Sequence, residues 1–400
     1  MSVDFNHEIL RIGTSSVKHD GCASYFGTPD VLPLWVADMD FAAPEAVTRA
    51  LTERAAHPVY GYTFYPDTLY EALMDWLKKR HHWEVQRDWI IMAPGVVTSL
   101  HASVMAFAQP GESVIVQPPV YSPFFTAVTT TERHLVLNPL RLENDRYTID
   151  FAHLEQSAAA GAKLLLLCSP HNPVGRVWRR DELTEVLRIA EKYDMVVLSD
   201  EIHADLVYPG HPHVTLATLA NHPDNIITAV APSKTFNIPG LGLSCLIVSN
   251  PDHRAAIRKV FDTLQLGHSN PFSIAAFEAA YRGGEPWLDS LLVYLRENRD
   301  FVSHYLAEHL PSIRLMQPEG TYLLWLDCRD LGMNDKQLKD FFVQQAKVGM
   351  NPGTVFGDGG SGFMRINIGS PRQIIAEALN RVANALKTSI IKPGSNTIDE

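Results

Sequence analysis

Three polar residues of this chain have the chemistry needed to bind and use one aldehyde cofactor. They are Lys234, Asp200 and Asn172. A lysine amine can form a Schiff base with an aldehyde, and an aspartate can keep a pyridine nitrogen protonated so that the ring accepts electrons. An asparagine amide can donate a hydrogen bond to a phenolate oxygen. Together the three residues suit a site for pyridoxal phosphate (PLP).

Each of these polar residues follows a short apolar run; the runs are residues 164–168, 195–198 and 226–230. Runs of this kind are typical of strands buried on both faces of a parallel sheet. Open α/β sheets build their ligand sites at the carboxyl ends of such strands. Taken singly, Asn172 could form a turn, Asp200 could cap a helix, and Lys234 could belong to a solvated surface pair. Their common position at strand ends favours one ligand site.

The composition indicates a globular protein with ample core and argues against some classes of partner. The chain has 400 residues, enough for two or three domains, of which 46% are hydrophobic and 20% charged. A net charge of −11 argues against nucleic acid as a partner, because phosphate binding requires a basic face. No apolar stretch approaches the roughly 20 residues of a membrane helix. We therefore expect neither a nucleic acid nor a membrane as a partner.

The cysteines and the first residues favour a cytoplasmic protein. Four scattered cysteines show no metal spacing and no disulfide framework, which fits a reducing compartment. The first residues lack the basic and apolar segments of a signal peptide. Two histidine pairs, His81 with His82 and His211 with His213, lack a third ligand at sensible spacing. We interpret them as surface or packing residues and expect no metal site.

Helical and strand patterns alternate through most of the chain. Residues 45–57 and 67–82 are predicted as helices, the second with Asp67 as its N-cap. This alternation indicates a largely parallel sheet with right-handed crossovers. After about residue 285 a long helix, a pair of strands and two further helices, the first at 334–347, are typical of an α+β module.

Three segments of the chain resemble one known enzyme family. Residues 169–176, 199–206 and 231–241 are similar to motifs of the class I/II aminotransferase-like, fold-type I PLP enzymes. Within that family the nearest resemblance is to the MalY/PatB branch of cystathionine β-lyase-like C–S lyases. The likeness runs from about residue 8 to residue 388. Further segments that support it are 32–41, 60–62, 94–98, 118–121, 286–289 and 362–367.

The resemblance implies a fold and an assembly. The expected fold is α/β, with a large domain around a mainly parallel seven-stranded sheet and a small α+β domain formed by both chain ends. The expected assembly is a homodimer with active sites at the subunit interface. The predicted parts are an N-terminal segment joining the small domain (1–50), the large PLP-binding domain (51–284), the C-terminal small domain (285–390) and a flexible tail (391–400).

The resemblance also assigns roles around the cofactor ring. Lys234 is the Schiff-base lysine and, once substrate displaces it, the base that removes the Cα proton. Asp200 binds the pyridinium nitrogen and Asn172 the phenolate oxygen. Tyr121 resembles the aromatic residue that stacks on the ring. His203, which ends the aspartate motif, is counted among the cofactor-binding residues.

The cofactor phosphate is expected at the start of a helix. Val96 and Val97 lie where a loop turns into a helix, so their backbone N–H groups and the helix dipole favour an anion. Ser233 can add a hydroxyl, and Tyr62 resembles a tyrosine that reaches the phosphate across the dimer interface. Many relatives have an arginine eight residues after the lysine; this chain has Gly242 there, which weakens the phosphate assignment.

The substrate carboxylate has one candidate partner. Arg365 could bind it through two parallel hydrogen bonds, which a lysine cannot reproduce. The segment from Asp38 to Phe41 is expected to line the mouth of the substrate site, and Asp38 is counted as substrate-binding.

The predicted reaction is the β-elimination of an L-cysteine S-conjugate such as L-cystathionine to a thiol, pyruvate and ammonia. Lys234 removes the α-proton, and Tyr62 or Tyr121 assists the departing thiolate. Two alternatives stay open: an aminotransferase acting on aromatic or small neutral amino acids, and a PLP-bearing regulator that contacts another protein. The preferred thioether is not determined by the sequence, because loops of both subunits shape the pocket.

Overall fold

A mixed sheet forms the centre of the molecule. The computed structural model describes residues 4–220, 223–267 and 269–390. Within them, the strands of the central sheet are β1 (Ile90–Ala93), β2 (Ser113–Val116), β3 (His134–Leu137), β4 (Leu164–Cys168), β5 (Val196–Asp200), β6 (Ile226–Val230) and β7 (Ser244–Val248). Their order is β1-β7-β6-β5-β4-β2-β3. Only β7 runs antiparallel to its neighbours, so the predicted largely parallel sheet is confirmed for these residues.

The three central strands carry the polar residues singled out in the sequence. Every residue of β4, β5 and β6 is buried, which explains why they are unbroken apolar runs. Each pairs with the next in parallel register. Their carboxyl ends therefore meet at one edge of the sheet, as expected.

Helices cover the sheet and build the rest of the described chain. They are α1 (Val17–Asp20), α2 (Cys22–Phe26), α3 (Glu45–Ala56), α4 (Asp67–His81), α5 (Val96–Phe107), α6 (Pro123–Thr129), α7 (Phe151–Ala159), α8 (Arg180–Lys192), α9 (Pro232–Thr235), α10 (Pro251–Thr263), α11 (Pro271–Gly283), α12 (Glu285–His309), α13 (Asp335–Asp340) and α14 (Arg372–Ile390). None of the described helices combines the length and apolar character of a membrane span.

Two local predictions need correction. Asp67 is not the N-cap of α4: Pro66 holds the cap position and Asp67 is the first helical residue, where its carboxylate still favours the positive end of the helix dipole. The helix predicted at 334–347 is shorter. It ends as α13 at Asp340 and continues as a π-helical turn, Phe341–Gln345.

Both chain ends contribute to the second module. Its antiparallel sheet contains β8 (Arg314–Leu315), β9 (Leu323–Asp327), β10 (Asn351–Pro352) and β11 (Phe363–Asn367), in the order β8-β9-β11-β10. The N-terminal segment joins it where Leu32–Pro33 pairs in parallel with Val348–Gly349. The exact domain boundaries stay predictions, and the predicted flexible tail, 391–400, lies outside the described residues.

A buried arginine ties the loop of Asn172 to the second module. The Arg176 Nε donates to Glu319 Oε2 at 2.9 Å, and its Nη2 donates to Glu182 at 2.7 Å. Glu319 also accepts from the backbone N–H of Val177 at 2.9 Å. All charges of this cluster have partners, which a buried ionic group requires. The loop after β4 is therefore fixed to the segment between β8 and β9 of the second module.

Candidate active site

Lys234 lies on the one-turn helix α9, which starts directly after β6. Its Nζ donates to the backbone carbonyl of Ala37 at 2.6 Å. Burial lowers the pKa of Lys234 to about 8; the Arg365 cation acts in the same direction, and the Asp38 and Asp200 carboxylates oppose it. The amine is therefore uncharged at a lower pH than an ordinary lysine, which suits a nucleophile and a base.

Asp200 ends the neighbouring strand β5 and is buried. Its carboxylate accepts the backbone N–H of Ile202 at 3.2 Å. Burial raises its pKa to about 7, although that N–H and the Lys234 charge oppose the rise. A protonated ring nitrogen beside it would stabilise the charged carboxylate, so Asp200 fits the predicted pyridine partner.

Arg365 lies on β11 and is buried. Its guanidinium donates to Asn172 Oδ1 at 2.9 Å, to Asn351 Oδ1 at 2.7 Å and to the Trp35 carbonyl at 2.8 Å. Its Nε is buried without a hydrogen-bond partner among the described residues. Burial lowers the pKa of Arg365 to about 10. All of its hydrogen bonds go to neutral oxygens, so this buried cation lacks an anion.

The contact with Arg365 fixes the Asn172 side chain. Because its Oδ1 accepts from Arg365, the Nδ2 is left to donate to a ligand. Its backbone carbonyl accepts from the Tyr121 N–H at 3.2 Å. Asn172, Tyr121 and Arg365 therefore form one contiguous wall, as the predicted roles require.

His203 is a buried imidazole close to these cations. Burial lowers its pKa to about 3, and the charges of Lys234 and Arg365 act in the same direction. Its Nδ1 has no hydrogen-bond partner among the described residues. A neutral imidazole with a free nitrogen can bind a polar ligand atom, in agreement with its predicted cofactor contact.

Helix α5 begins at Val96, directly after Gly95, as the sequence predicts. The N–H groups of Val96 and Val97 belong to the first turn and have no partner within the helix. Gly242 has φ +46°, and a Cβ there would lie 3.2 Å from the carbonyl oxygen of Pro94. A larger residue at 242 would therefore be strained in this backbone conformation. Ser233 precedes Lys234 on α9 and is half-buried.

Several of the predicted residues open into one cavity of about 990 Å³. Lys234, Tyr121, Arg365 and Asp38 all line it. Other predicted residues, namely Asp200, Asn172 and His203, are buried and contact this wall through hydrogen bonds or charge. Tyr62 is different: its side chain is fully exposed, and within one protomer the structure does not bring it to the cavity.

Two residues of the site were missed at the level of sequence. Arg11 lines the cavity and binds Asp38 through two hydrogen bonds of 2.8 Å, with a third to Asp40 at 2.7 Å. Asn237 exchanges hydrogen bonds with the backbone of Met39 at 2.9 Å. Asn237 lies in the quoted lysine motif and could have been singled out. Arg11 carries no recognisable spacing signal.

Among the described residues, no cluster of His, Cys, Asp and Glu could hold a metal ion. The side chains of His81 and His213 are only 10% and 2% exposed and pair with the carboxylates of Asp205 and Glu201, so both are packing residues rather than surface residues. All four cysteines are buried thiols.

Comparisons with known proteins agree with this geometry. The family model described as aminotransferase class I and II matches residues 29–382. The chain is 42% identical to the cystathionine beta-lyase PatB of Bacillus subtilis, covering 96% of this chain and 100% of PatB. It is 33% identical to Protein MalY of Escherichia coli, covering 96% and 99%. The predicted resemblance to this branch is therefore confirmed.

Solved structures are similar over the same length. Cystalysin from Treponema denticola, which contains pyridoxal 5'-phosphate, has a TM-score of 0.94 and 39% identity, covering 97% of this chain and 100% of cystalysin. A PLP-bound C–S lyase from Staphylococcus hominis has a TM-score of 0.90 and 32% identity, covering 96% and 98%. These likenesses confirm the predicted fold-type I architecture.

The electrostatic environment of Lys234 leads to a first prediction. In cofactor-free protein, acetylation of Lys234 should rise with pH to a midpoint near 8, because its pKa is about 8. Asp38→Asn should move the midpoint to lower pH, since the Asp38 charge raises that pKa. Mass spectrometry of the peptide gives the extent of reaction. Asp30→Asn, at an exposed ion pair with Lys347, is the matched control. A midpoint near 10.5, the ordinary lysine value, would contradict the account.

Proposed function

The chain belongs to the aminotransferase class I and II family, and we propose that it acts there as a PLP-dependent C–S β-lyase. The proposed reaction converts L-cystathionine, or a related L-cysteine S-conjugate, into a thiol, pyruvate and ammonia. The names of PatB and of the Staphylococcus hominis enzyme support this reaction. The observation that carries it is the pair formed by an anion-deficient Arg365 and a readily neutralised Lys234 in one cavity.

The residues of the cavity fit PLP. Lys234 would hold its aldehyde carbon, Asp200 its ring nitrogen and Asn172 its phenolate oxygen, with Tyr121 against the ring and His203 nearby. The N–H groups of Val96 and Val97, with the Ser233 hydroxyl, would hold its phosphate. When bound, PLP supplies an aldehyde for amines and a ring that accepts the electrons left at the substrate Cα.

Arg365 would bind and orient the substrate. A substrate α-carboxylate gives the buried guanidinium the anion that it lacks within the protein. Asn172 and Asn351 hold the guanidinium in place through their side-chain oxygens. This anchoring fixes the amino acid by its carboxylate, so that its Cα–H bond lies at a defined position relative to Lys234.

Lys234 would move the proton at Cα. Its lowered pKa keeps a substantial uncharged fraction near neutral pH, as a general base requires. Burial lowers that pKa most; Arg365 adds to the shift, and the Asp38 and Asp200 carboxylates oppose it. Once the proton has left, the Cβ–S bond can break and the thiolate needs a proton donor.

Tyr121 is one proposed donor to the leaving thiolate. Burial raises the pKa of Tyr121 above its ordinary value, so its hydroxyl stays protonated at neutral pH. It lines the same cavity as Lys234. Tyr62 is the other proposed donor, and its exposed position means that it could act only in the site of a second subunit.

The proposed assembly is a cytoplasmic homodimer with shared active sites. Large apolar side chains that are strongly exposed in the protomer support an interface; they are Leu10, Ile12, Val59, Tyr62 and Phe64. Four buried free thiols suit a reducing compartment. A small-molecule amino acid is the proposed substrate, with neither nucleic acid nor membrane as a partner.

The reaction is tested by its products. Purified protein with PLP and no keto acid should release pyruvate and free thiol from L-cystathionine in equal amounts, whereas Lys234→Ala should release neither, because the general base is lost. Lactate dehydrogenase coupling and a thiol reagent measure the two products. Turnover that requires a keto acid would instead assign the chain to aminotransferases. Partner binding that survives Lys234→Ala, without catalysis in the wild type, would assign it to regulators.

Shared sites are tested by mixed dimers. Tyr62→Ala and Lys234→Ala homodimers should both be weakly active or inactive. When the two are co-expressed, one site of each mixed dimer combines an intact Lys234 with an intact Tyr62 from the other subunit, so activity should exceed the sum of the parents. Steady-state pyruvate release on purified mixed dimers gives the answer. Activity equal to that sum would remove Tyr62 from the partner's site.

A further inference from the structure

A buried carboxylate lies behind the helix that carries Lys234. Asp205 accepts a hydrogen bond from Thr235 Oγ1 at 2.8 Å, and Thr235 is the residue next to Lys234 on α9. Asp205 itself lies in the turn after β5, the strand that ends at Asp200. The Asp205 side chain therefore links the loop after β5, the strand of Asp200, to helix α9, which carries Lys234.

The same carboxylate is held from the other side by α4. Trp76 Nε1 donates to both oxygens of Asp205, at 3.2 and 3.3 Å, and His81 Nε2 lies 2.9 Å from its Oδ1. Burial favours the neutral acid, yet contact with His81 and Thr235 lowers the pKa of Asp205 below its ordinary value. The ion pair raises the pKa of His81, although burial opposes that shift. Asp205 is thus a fixed anion anchored to a 15-residue helix.

A second pair of this kind supports the strand end. His213 Nε2 lies 2.8 Å from Glu201 Oε2, and Glu201 Oε1 accepts from Ser199 Oγ at 2.9 Å and from the Leu216 N–H at 3.0 Å. The rings of His81 and His213 meet edge to face at 5.7 Å. The two histidine–carboxylate pairs therefore pack together directly behind the loop that contains Asp200.

Helix α9 needs such support because it is short. Four residues form one turn, which is not stable by itself. Its N-cap residue, Ala231, provides no side-chain hydrogen bond. Its side-chain anchors include the Lys234 bond to Ala37 and the Thr235 bond to Asp205. The first of these is lost whenever the amine reacts. The Thr235 bond to Asp205 does not involve the amine and remains when the amine has reacted.

We propose that Asp205, acting through the Thr235 hydroxyl, is a positioning residue that holds the Lys234 amine at the point where it meets an aldehyde. The ligand aldehyde is PLP, so this inference rests on the proposed function for its cofactor. The role is separate from cofactor binding, since Asp205 and Thr235 do not line the cavity. Loss of the hydroxyl should therefore slow attachment of PLP to the lysine without removing any residue that contacts the cofactor.

The test compares the rate of attachment in matched threonine variants. PLP is added to cofactor-free full-length protein, and the growth of its visible absorption band is followed by stopped flow at one pH. Thr235→Val keeps the shape and removes the hydroxyl; it should slow attachment about tenfold, as expected for one lost bond to a charged group. Thr235→Ser keeps a hydroxyl and should restore the rate. Thr228→Val is the control. Thr228 Oγ1 is buried and has no hydrogen-bond partner in the described part of the chain, so its loss should leave the rate unchanged.

The outcomes separate this inference from the proposed function. Equal rates in Thr235→Val, Thr228→Val and wild type would overturn the positioning role. Equal slowing in Thr235→Val and Thr235→Ser would overturn it too, because the hydroxyl would then not matter. Should Thr235→Val not fold, Thr235→Ala removes the same hydroxyl with a smaller side chain. A wild-type protein that develops no visible band with PLP would instead overturn the proposed function itself.

Discussion

The arrangement of the site depends on one constraint: the Arg365 guanidinium is buried there, and no described residue supplies it with an anionic hydrogen-bond partner. The Arg365 guanidinium has only neutral oxygens as hydrogen-bond partners, and it lowers the pKa of Lys234 across the same cavity. Burying an unpaired charge is costly. The protein tolerates that cost because the amino acid that it is proposed to bind supplies the missing anion through its α-carboxylate.

The scaffold can hold this arrangement because separate parts of the fold meet at one edge of the sheet. β4, β5 and β6 bring the three cofactor residues to that edge, and β11 of the second module brings Arg365. Paired ionic clusters connect these parts of the fold. Arg176 pairs with Glu182 and Glu319 and connects the loop after β4 to the second module, and Asp205 pairs with His81 and connects the turn after β5 to α4. The charges in the supporting clusters are paired, whereas Arg365 in the cavity has only neutral hydrogen-bond partners among the described residues. That contrast separates structural from functional ionic groups.

Much of the fold and part of the site follow from local sequence. The buried strands are visible as apolar runs, and the start of α5 at Val96 follows from the strand and turn before it. Arg11 and Asp205 were not found, because their roles depend on partners that are distant in the sequence. Arg11 donates a hydrogen bond to Asp38, 27 positions away, and Asp205 pairs with His81, 124 positions away. The hydrophobic periodicity that predicts helices and strands does not indicate pairs so far apart in the sequence. The predicted role of Tyr62 is a contact with the active site of a second subunit, so the structure of one protomer does not test it.

The most direct test of the account is whether Arg365 binds the substrate carboxylate. The dissociation constant of L-alanine, which has no leaving group, is measured by titrating the visible spectrum of the PLP-loaded protein, with ethylamine as the ligand that lacks a carboxylate. Arg365→Lys should weaken L-alanine about 10- to 100-fold, the range for hydrogen bonds to charged groups, and leave ethylamine nearly unchanged. An equal effect on both ligands, or none on L-alanine, would contradict the central claim.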